Sequence, residues 1–360
     1  MPTRPTEMVR VYRSGFHEGS HFGSVVITGP DGRVLHQRGD IYTPMFPRSS
    51  NKPFQAVAML ACGADLAGPH LALAAASHSG EPMHVERALA ILHRAGLTEE
   101  DLRCPEALPM DESARRVVVA GGGRPRRIYM NCSGKHAGML AACVAQGWDL
   151  KSYLDPDHSL QRRVAEVVSR LSDESPTAVG VDGCGAPLFA IPLEGLARAF
   201  GRVNAAERGT PEHQVALAMR SYPEMVGGTG RDDTRLMQAF AGLLVKGGAE
   251  GVHCAALVDG SCVAVKIADG GDRARMPVLI GGLVRLGVGI GAGPRPGATG
   301  RTGPAHDLLD EMGTGTVLGG GVAVGTVELA PDVFWPGTAP DASPNARRVG
   351  VGPRRLNLYC

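Results

Sequence analysis

Fifty glycines and 26 prolines are spread along this chain as punctuation between apolar segments, which cuts it into short helices and strands joined by turns. The clearest pair is Cys254-Ala255-Ala256-Leu257-Val258 and residues 261–267, separated by Asp259-Gly260. Asp-Gly between alternating strands favours a tight type I′ hairpin turn. Val263, Val265 and Ile267 then share one face of the second strand, and Lys266 points to the other with Cys262 and Ala264. Val25-Val26-Ile27 and Val34-Leu35 flank Gly29-Pro30-Asp31-Gly32 in a second strand–turn–strand pattern.

Helical segments alternate with these strands. The spacing predicts helices over residues 51–60, 82–95, about 136–145 and 232–245, a short buried strand over 71–76 and another over 128–130 that runs into residues 131–136. Asp155-Pro156 and Thr210-Pro211 read as helix starts, with proline in the first turn. A mixture of this kind belongs to the α/β (α+β) class, a mixed sheet with flanking helices. The sequence is 43% hydrophobic but only 4% aromatic, so the core should be mainly Ala, Val and Leu. With no strong interior boundary, one catalytic domain is expected over residues 8–330. The Pro/Gly/Arg-rich stretch 331–360 is expected to be a poorly ordered tail.

Charge excludes several classes of function. The 37 basic and 36 acidic residues leave a net charge of +1, without the basic excess of a nucleic-acid or acidic-membrane binder. No apolar run approaches membrane-spanning length. The eight cysteines are too dilute and irregular for a disulfide scaffold. A cytoplasmic protein acting on a small molecule is the expectation.

Chemistry enters through lysine. Only Lys52, Lys135, Lys151, Lys246 and Lys266 interrupt an otherwise all-arginine set of cations, and only lysine can give up its proton inside a protein. Ser49 and Lys52 stand three apart in Arg48-Ser49-Ser50-Asn51-Lys52-Pro53, one helical turn from each other. Serine is a poor nucleophile until a neighbour removes its proton. Pro53 fits a first helical turn, which places Ser49 near a helix N-terminus where amides can hold an oxyanion. To act as base, Lys52 must fall from about 10.4 to the 7–8 range, a cost of about 3–4.5 kcal/mol. Burial and a second cation could supply it. Ser77, in Ser-His-Ser-Gly-Glu, offers a relay hydroxyl, and Lys266 on its strand offers the second cation. The order S-x-x-K, serine loop, strand lysine is that of the serine β-lactamases and penicillin-binding proteins.

Four further stretches complete a resemblance to the serine–lysine asparaginase II family, the rhizobial-type L-asparaginases. They are Ala-Ser-His-Ser-Gly-Glu (76–81), Asn-Cys-Ser-Gly-Lys-His-Ala-Gly-Met-Leu (131–140), Val-Asp-Gly-Cys-Gly-Ala-Pro (181–187) and Pro-Glu-Met-Val-Gly-Gly (223–228). The resemblance runs from about residue 13 to residue 324. It implies a serine β-lactamase/glutaminase-like fold, a homodimer, and hydrolysis of L-asparagine to L-aspartate and ammonia. Ser49 is then the nucleophile, Lys52 its base, and Ser77 with Lys266 the proton-transfer pair. The resemblance also implies a zinc at Cys132, Lys135 and Cys184, near the substrate and not required as the attacking centre, with Arg48, His136 and Asp182 on the substrate side. A glutaminase, a broader amidase or penicillin-type acylase, and a non-catalytic amino-acid binder remain alternatives.

Other motifs carry less. His17-Glu18-Gly19-Ser20-His21 matches the zinc-protease pattern H-E-x-x-H, but Gly19 and Ser20 are poor helix formers beside a strand. Gly134-Lys135 lacks the first glycine and the Ser/Thr of a phosphate loop, and Arg38-Gly39-Asp40 is a chance tripeptide.

Overall fold

The computed structural model describes residues 6–289 and 304–334. Its main sheet contains β1 (Thr6–Arg13), β2 (Phe16–Thr28) and β3 (Val34–Arg38) from the first forty residues. A separate two-stranded ribbon, β4 (Val179–Val181) with β5 (Pro187–Phe189), lies mid-chain. The sheet is completed by β6 (Leu244–Gly247), β7 (Val252–Ala256), β8 (Cys262–Ile267), β9 (Gly315–Gly319) and β10 (Val322–Leu329). Its strands run β6-β7-β8-β2-β1-β10-β9, with β3 also on β2. Every neighbouring pair is antiparallel.

Long β2 is the spine: its first half pairs with β1 and its second half with β8, Gly23 opposite Ile267 and Thr28 opposite Cys262. Residues 23–28 and 262–265 are buried without alternation, because both faces of the central strands are covered.

Twelve helices among the described residues surround the sheet. They are α1 (Lys52–Ala61), α2 (Gly68–Ala74), α3 (Pro82–Arg94), α4 (Glu112–Ala120), α5 (Ser133–Gln146) and α6 (Ser159–Ser172), followed by α7 (Leu193–Asn204), α8 (Pro211–Ser221), α9 (Pro223–Val226), α10 (Asp232–Ala239), α11 (Asp272–Arg285) and α12 (Pro304–Gly313). α7 and α11 pack on the sheet, while α1 sits inside the helical layer against α5, α6 and α8. Every residue from 52 to 59 is buried, as expected for a helix enclosed on all sides. Phe54 of α1 meets Phe200 of α7 edge-on, ring centroids 6.3 Å apart, a contact worth about 0.5–1.5 kcal/mol beyond the buried area. The N-terminus of α1, where the serine–lysine pair lies, is thereby fixed against the sheet.

The mixed α/β expectation holds, and several element boundaries move. Residues 71–76 are not a strand but belong to and follow α2. A short apolar run buried on all sides has no period to separate the two, and Gly68-Pro69 opens it as a helix. Ile128 lies in a single 3₁₀ turn, Arg127–Tyr129. Asp155-Pro156 falls in turns before α6, whose N-cap is His158, whereas Thr210 caps α8 through His213 N–H. The segment 232–245 is a helix only to Ala239, then turns and enters β6. At the hairpin, Leu257 N–H donates to Ser261 O and Gly260 N–H to Leu257 O. Gly260 alone takes a positive φ there, +96°, so the turn is one of wider span, since type I′ needs two such residues. Val333 and Phe334 are buried, with His36 and Arg38 donating to Val333 O, so packing continues four residues past 330. The rest of the tail, 335–360, lies outside the described residues. Among those described, no helix is long and apolar enough to cross a membrane. The His17–His21 motif lies on β2, which removes the helical zinc-protease reading.

Candidate active site

Arg48–Asn51 forms one 3₁₀ turn leading into α1, with Pro53 in the helix's first turn. Arg48 is held at φ +50°, a left-handed conformation that costs about 1–3 kcal/mol for a non-glycine residue. Two ion pairs hold its side chain, Nε to Asp182 at 3.0 Å and Nη1 to Glu250 at 3.5 Å. The turn is fastened to the sheet edge as well, because Ser50 Oγ donates to Lys246 O at 3.0 Å. Close approach there needs glycine: a Cβ on Gly248 would stand 2.9 Å from Pro47 O and 3.1 Å from Ser50 Oγ.

Lys52 is 1% exposed. Its ammonium reaches Ala76 O at 2.5 Å, Ser77 Oγ at 2.8 Å and Cys132 Sγ at 3.0 Å. Ser77 sits in the loop after α2, anchored by its N–H to Val226 O and by His78 N–H to Asn131 O. Farther along the loop, Glu81 accepts Thr229 N–H at 2.8 Å and Thr229 Oγ1–H at 2.7 Å. Lys52 therefore has Ser77, rather than Ser49, in direct hydrogen bond.

Ser49 and Ser77 share a cavity of about 190 Å³ with Lys246, Asp233, His253, Arg231 and Arg275. Lys266 does not line it. Its ammonium is spent on Glu250 O at 2.5 Å and Ile267 O at 2.9 Å, under the loop that carries Arg48's second partner. The lysine that lines the cavity with the two serines is Lys246, for which the sequence suggested no role; its ammonium donates to Gly247 O at 2.7 Å and to Asp233 Oδ2 at 3.4 Å. It is 1% exposed; burial draws its pKa down to about 8, Lys52 adds to that and Asp233 opposes it. The helix reading of 232–245 hid this residue. The available signal was Leu-Val-Lys-Gly-Gly, an edge-strand lysine followed by two glycines.

On the opposite side of Lys52 lies the cysteine cluster. Cys132 caps α5, and Lys135 and His136 follow on the same face three and four residues later. Cys184 comes from the β4–β5 turn, with Lys135 Nζ at 2.9 Å from its sulfur. Asp182 Oδ2 is 3.6 Å from the same sulfur, so a chain of contacts runs from Arg48 through Asp182 and Cys184 to Lys135. The interaction with Cys132 and the charge of Lys135 draw the Cys184 pKa down, while the same interaction, together with burial, pushes Cys132 up. Burial pulls Lys135 down, but the Cys184 and Cys132 sulfurs outweigh it and the amine is raised. His136 is turned by Tyr153, Nδ1 to hydroxyl 2.7 Å, and burial lowers its pKa.

Among the described residues no group of three or more His, Cys, Asp or Glu is placed to hold a metal. Counting lysine as a donor changes the result: Cys132, Lys135 and Cys184 offer two sulfurs and one amine in a buried cluster. That set suits zinc once Lys135 sheds its proton. Of the expected residues, the structure thus brings Ser49 and Ser77 to one cavity, with Lys52 bonded to Ser77. Arg48, Asp182, Cys132, Lys135, His136 and Cys184 form a cluster that joins the site through the Lys52–Cys132 contact without lining that cavity. Lys266 does not line it either.

The solved structures similar to the chain, at low identity, include the following three. A β-lactamase from Mycobacterium bovis is 15% identical over 74% of this chain and 94% of its own, with a TM-score of 0.42. The protein Mglu in its native form is 15% identical over 70% of this chain and 61% of its own, TM-score 0.39. EstCE1, a hydrolase with promiscuous acyltransferase activity, is 13% identical over 68% and 88%, TM-score 0.36. No curated protein matches the chain. Residues 9–299, however, match L-asparaginase II. The chain belongs to the L-asparaginase II family, and so to the amidohydrolases that act on small molecules.

Proposed function

We propose that the protein hydrolyses L-asparagine to L-aspartate and ammonia through a β-aspartyl ester on Ser49. The observation that carries this reading is the Lys52–Ser77 hydrogen bond of 2.8 Å beside a cavity that Ser77 shares with Ser49 and Lys246. Ser49 Oγ attacks the side-chain amide carbon, and its proton passes to Lys52 by way of the Ser77 hydroxyl, which Lys52 holds at 2.8 Å. The C–N bond then breaks, and the leaving nitrogen takes a proton from Lys52 by way of the Ser77 hydroxyl. Water attacks the ester, gives its proton to the same relay, and releases aspartate and Ser49. Lys246, instead of Lys266, supplies the positive charge that faces the developing oxyanion. Ser49 and Ala249 both line the cavity, and their backbone N–H groups are the oxyanion donors on this reading.

Selectivity rests on the size and charge of the site. A cavity of about 190 Å³ suits one amino acid better than a penicillin-sized acyl donor. Discrimination against glutamine, one methylene longer, is worth only about 1–3 kcal/mol. Arg48 and Asp182 are the substrate-side pair on this reading, with His136 behind them. If zinc binds, Cys132, Lys135 and Cys184 hold it, and it supplies Lewis-acid charge next to the substrate.

The test is ammonia release from L-asparagine and L-glutamine by wild type and Ser49→Ala. The expected result is asparagine-selective turnover that Ser49→Ala abolishes with its circular dichroism unchanged. Wild-type rates in Ser49→Ala would overturn the proposal.

A further inference from the structure

Asp233 is the second residue of α10, and its carboxylate reaches across to the edge of the sheet. The Gly247 N–H donates to both oxygens at 3.1 Å, His253 Nε2 to Oδ1 at 2.8 Å, and Lys246 Nζ to Oδ2 at 3.4 Å. Residues 247 and 253 face each other in the β6–β7 ladder, so the backbone sets two of these donors rigidly. Asp233 and His253 are buried and line the Ser49–Ser77 cavity.

The groups around Lys246 come from several elements. Lys52 acts on it from α1, Arg231 from the residue before α10, and Asp233 from α10. His253 and the Cys254 thiol face it from β7. Arg275 of α11 donates to Gly248 O, and Asp232 and Asp272 line the cavity. Among the described residues, Asp233 is the carboxylate in contact with the ammonium. A buried ammonium facing Arg231, and Lys52 whenever that amine is protonated, loses its proton readily unless an anion stands beside it.

We propose that Asp233, clamped by His253 and the Gly247 amide, is the positioning carboxylate of this site: it fixes where the Lys246 ammonium stands and keeps it charged. The proposal rests on Lys246 being the working cation of the cavity. The clamp matters because a free carboxylate would close on the ammonium and tie up its protons. The ammonium also donates to Gly247 O at 2.7 Å, so the carboxylate at 3.4 Å and that carbonyl fix its place on the wall of the cavity and leave one N–H for substrate. The same clamp is tied to the nucleophile, since the Lys246 carbonyl takes the hydroxyl of Ser50, the next residue after Ser49.

The full chain has only five lysines, so selective ¹³Cε labelling can follow each one, with Lys246 identified by its loss in Lys246→Arg. Asp233→Asn should lower the Lys246 titration midpoint by about one pH unit or more and move the alkaline limb of kcat/KM with it. Asp233→Glu should keep the midpoint close to wild type while kcat falls, because charge is retained and position is not. Should Asp233→Asn fail to fold, His253→Leu carries the test. Released from the imidazole, Asp233 closes on Lys246 and the midpoint rises. An unmoved midpoint in the folded variant overturns the proposal. Loss of turnover in Lys246→Met together with an unmoved midpoint in Asp233→Asn overturns this proposal and leaves the catalytic reading. Wild-type turnover in Lys246→Met overturns the catalytic reading and the proposal with it.

Discussion

Lys135 and Lys246 are both 1% exposed, and each faces an anion inside the protein. Burial penalises both ammonium groups equally in kind, yet their balances differ. Lys135 has the Cys184 sulfur at 2.9 Å and, farther off, Asp182, so these neighbours outweigh burial and its pKa is raised. Lys246 has one carboxylate at 3.4 Å against the charges of Lys52 and Arg231, and burial prevails. The sign of the surroundings decides whether a buried lysine is a fixed charge or one that exchanges near neutral pH. On this view the Lys246 side offers the cavity a charge that is lost as pH rises through about 8. The Lys135 side is suited to holding a cation, its own proton or a metal in its place.

The sharpest way to break the comparison is Lys246→Met. If the ammonium works at the cavity, turnover of asparagine should fall about 100- to 10 000-fold. The alkaline limb should also vanish: Lys246 is lowered to about 8, so wild-type kcat/KM falls as pH rises through that value and the ammonium is lost. A rate profile unchanged above pH 8 would put Lys246 outside the reaction.

Next in size is Cys184→Ser. It leaves the Lys135 ammonium buried beside a neutral hydroxyl, and breaking one partner of a buried pair costs about 3–5 kcal/mol. Urea denaturation measures it, and a loss below about 1 kcal/mol would show that Lys135 is neutral in the folded protein. The same variant should lose any zinc that the wild-type protein retains on dialysis. Smaller again is Lys266→Met, which removes two hydrogen bonds to carbonyls and should cost about 1–3 kcal/mol of stability, with a much milder effect on turnover than Lys246→Met. Equal losses in the two variants would erase the distinction between them. Exposed Lys151 should accept arginine without measurable change.

Much of this site is legible in the sequence because its parts are local. Ser49 and Lys52 stand one turn apart, and Cys132, Lys135 and His136 share the first turn of α5. Arginine used almost everywhere else made each lysine conspicuous. Legibility ended where tertiary pairing decides. Two strand lysines, 246 and 266, fit the same role by pattern; only strand order puts β6 at the sheet edge beside the nucleophile turn and β8 in the sheet interior. The same limit applies to the fold. The hairpin and the amphipathic α3 were readable from their periods, but the all-buried residues 71–76 were not. The helix-to-strand change inside 232–245 was missed because Leu243, Leu244 and Val245 fit either state.

Covalent chemistry at one serine is the central claim, and it can be seen directly. Wild-type protein and Lys52→Met should be mixed with L-asparagine, quenched in acid during turnover, digested, and the peptides weighed. The account predicts a β-aspartyl ester on the peptide carrying Ser49 in wild type and none in Lys52→Met. An adduct on Ser77 or on a cysteine, or asparagine turnover in which no adduct ever forms under quenching, would contradict it.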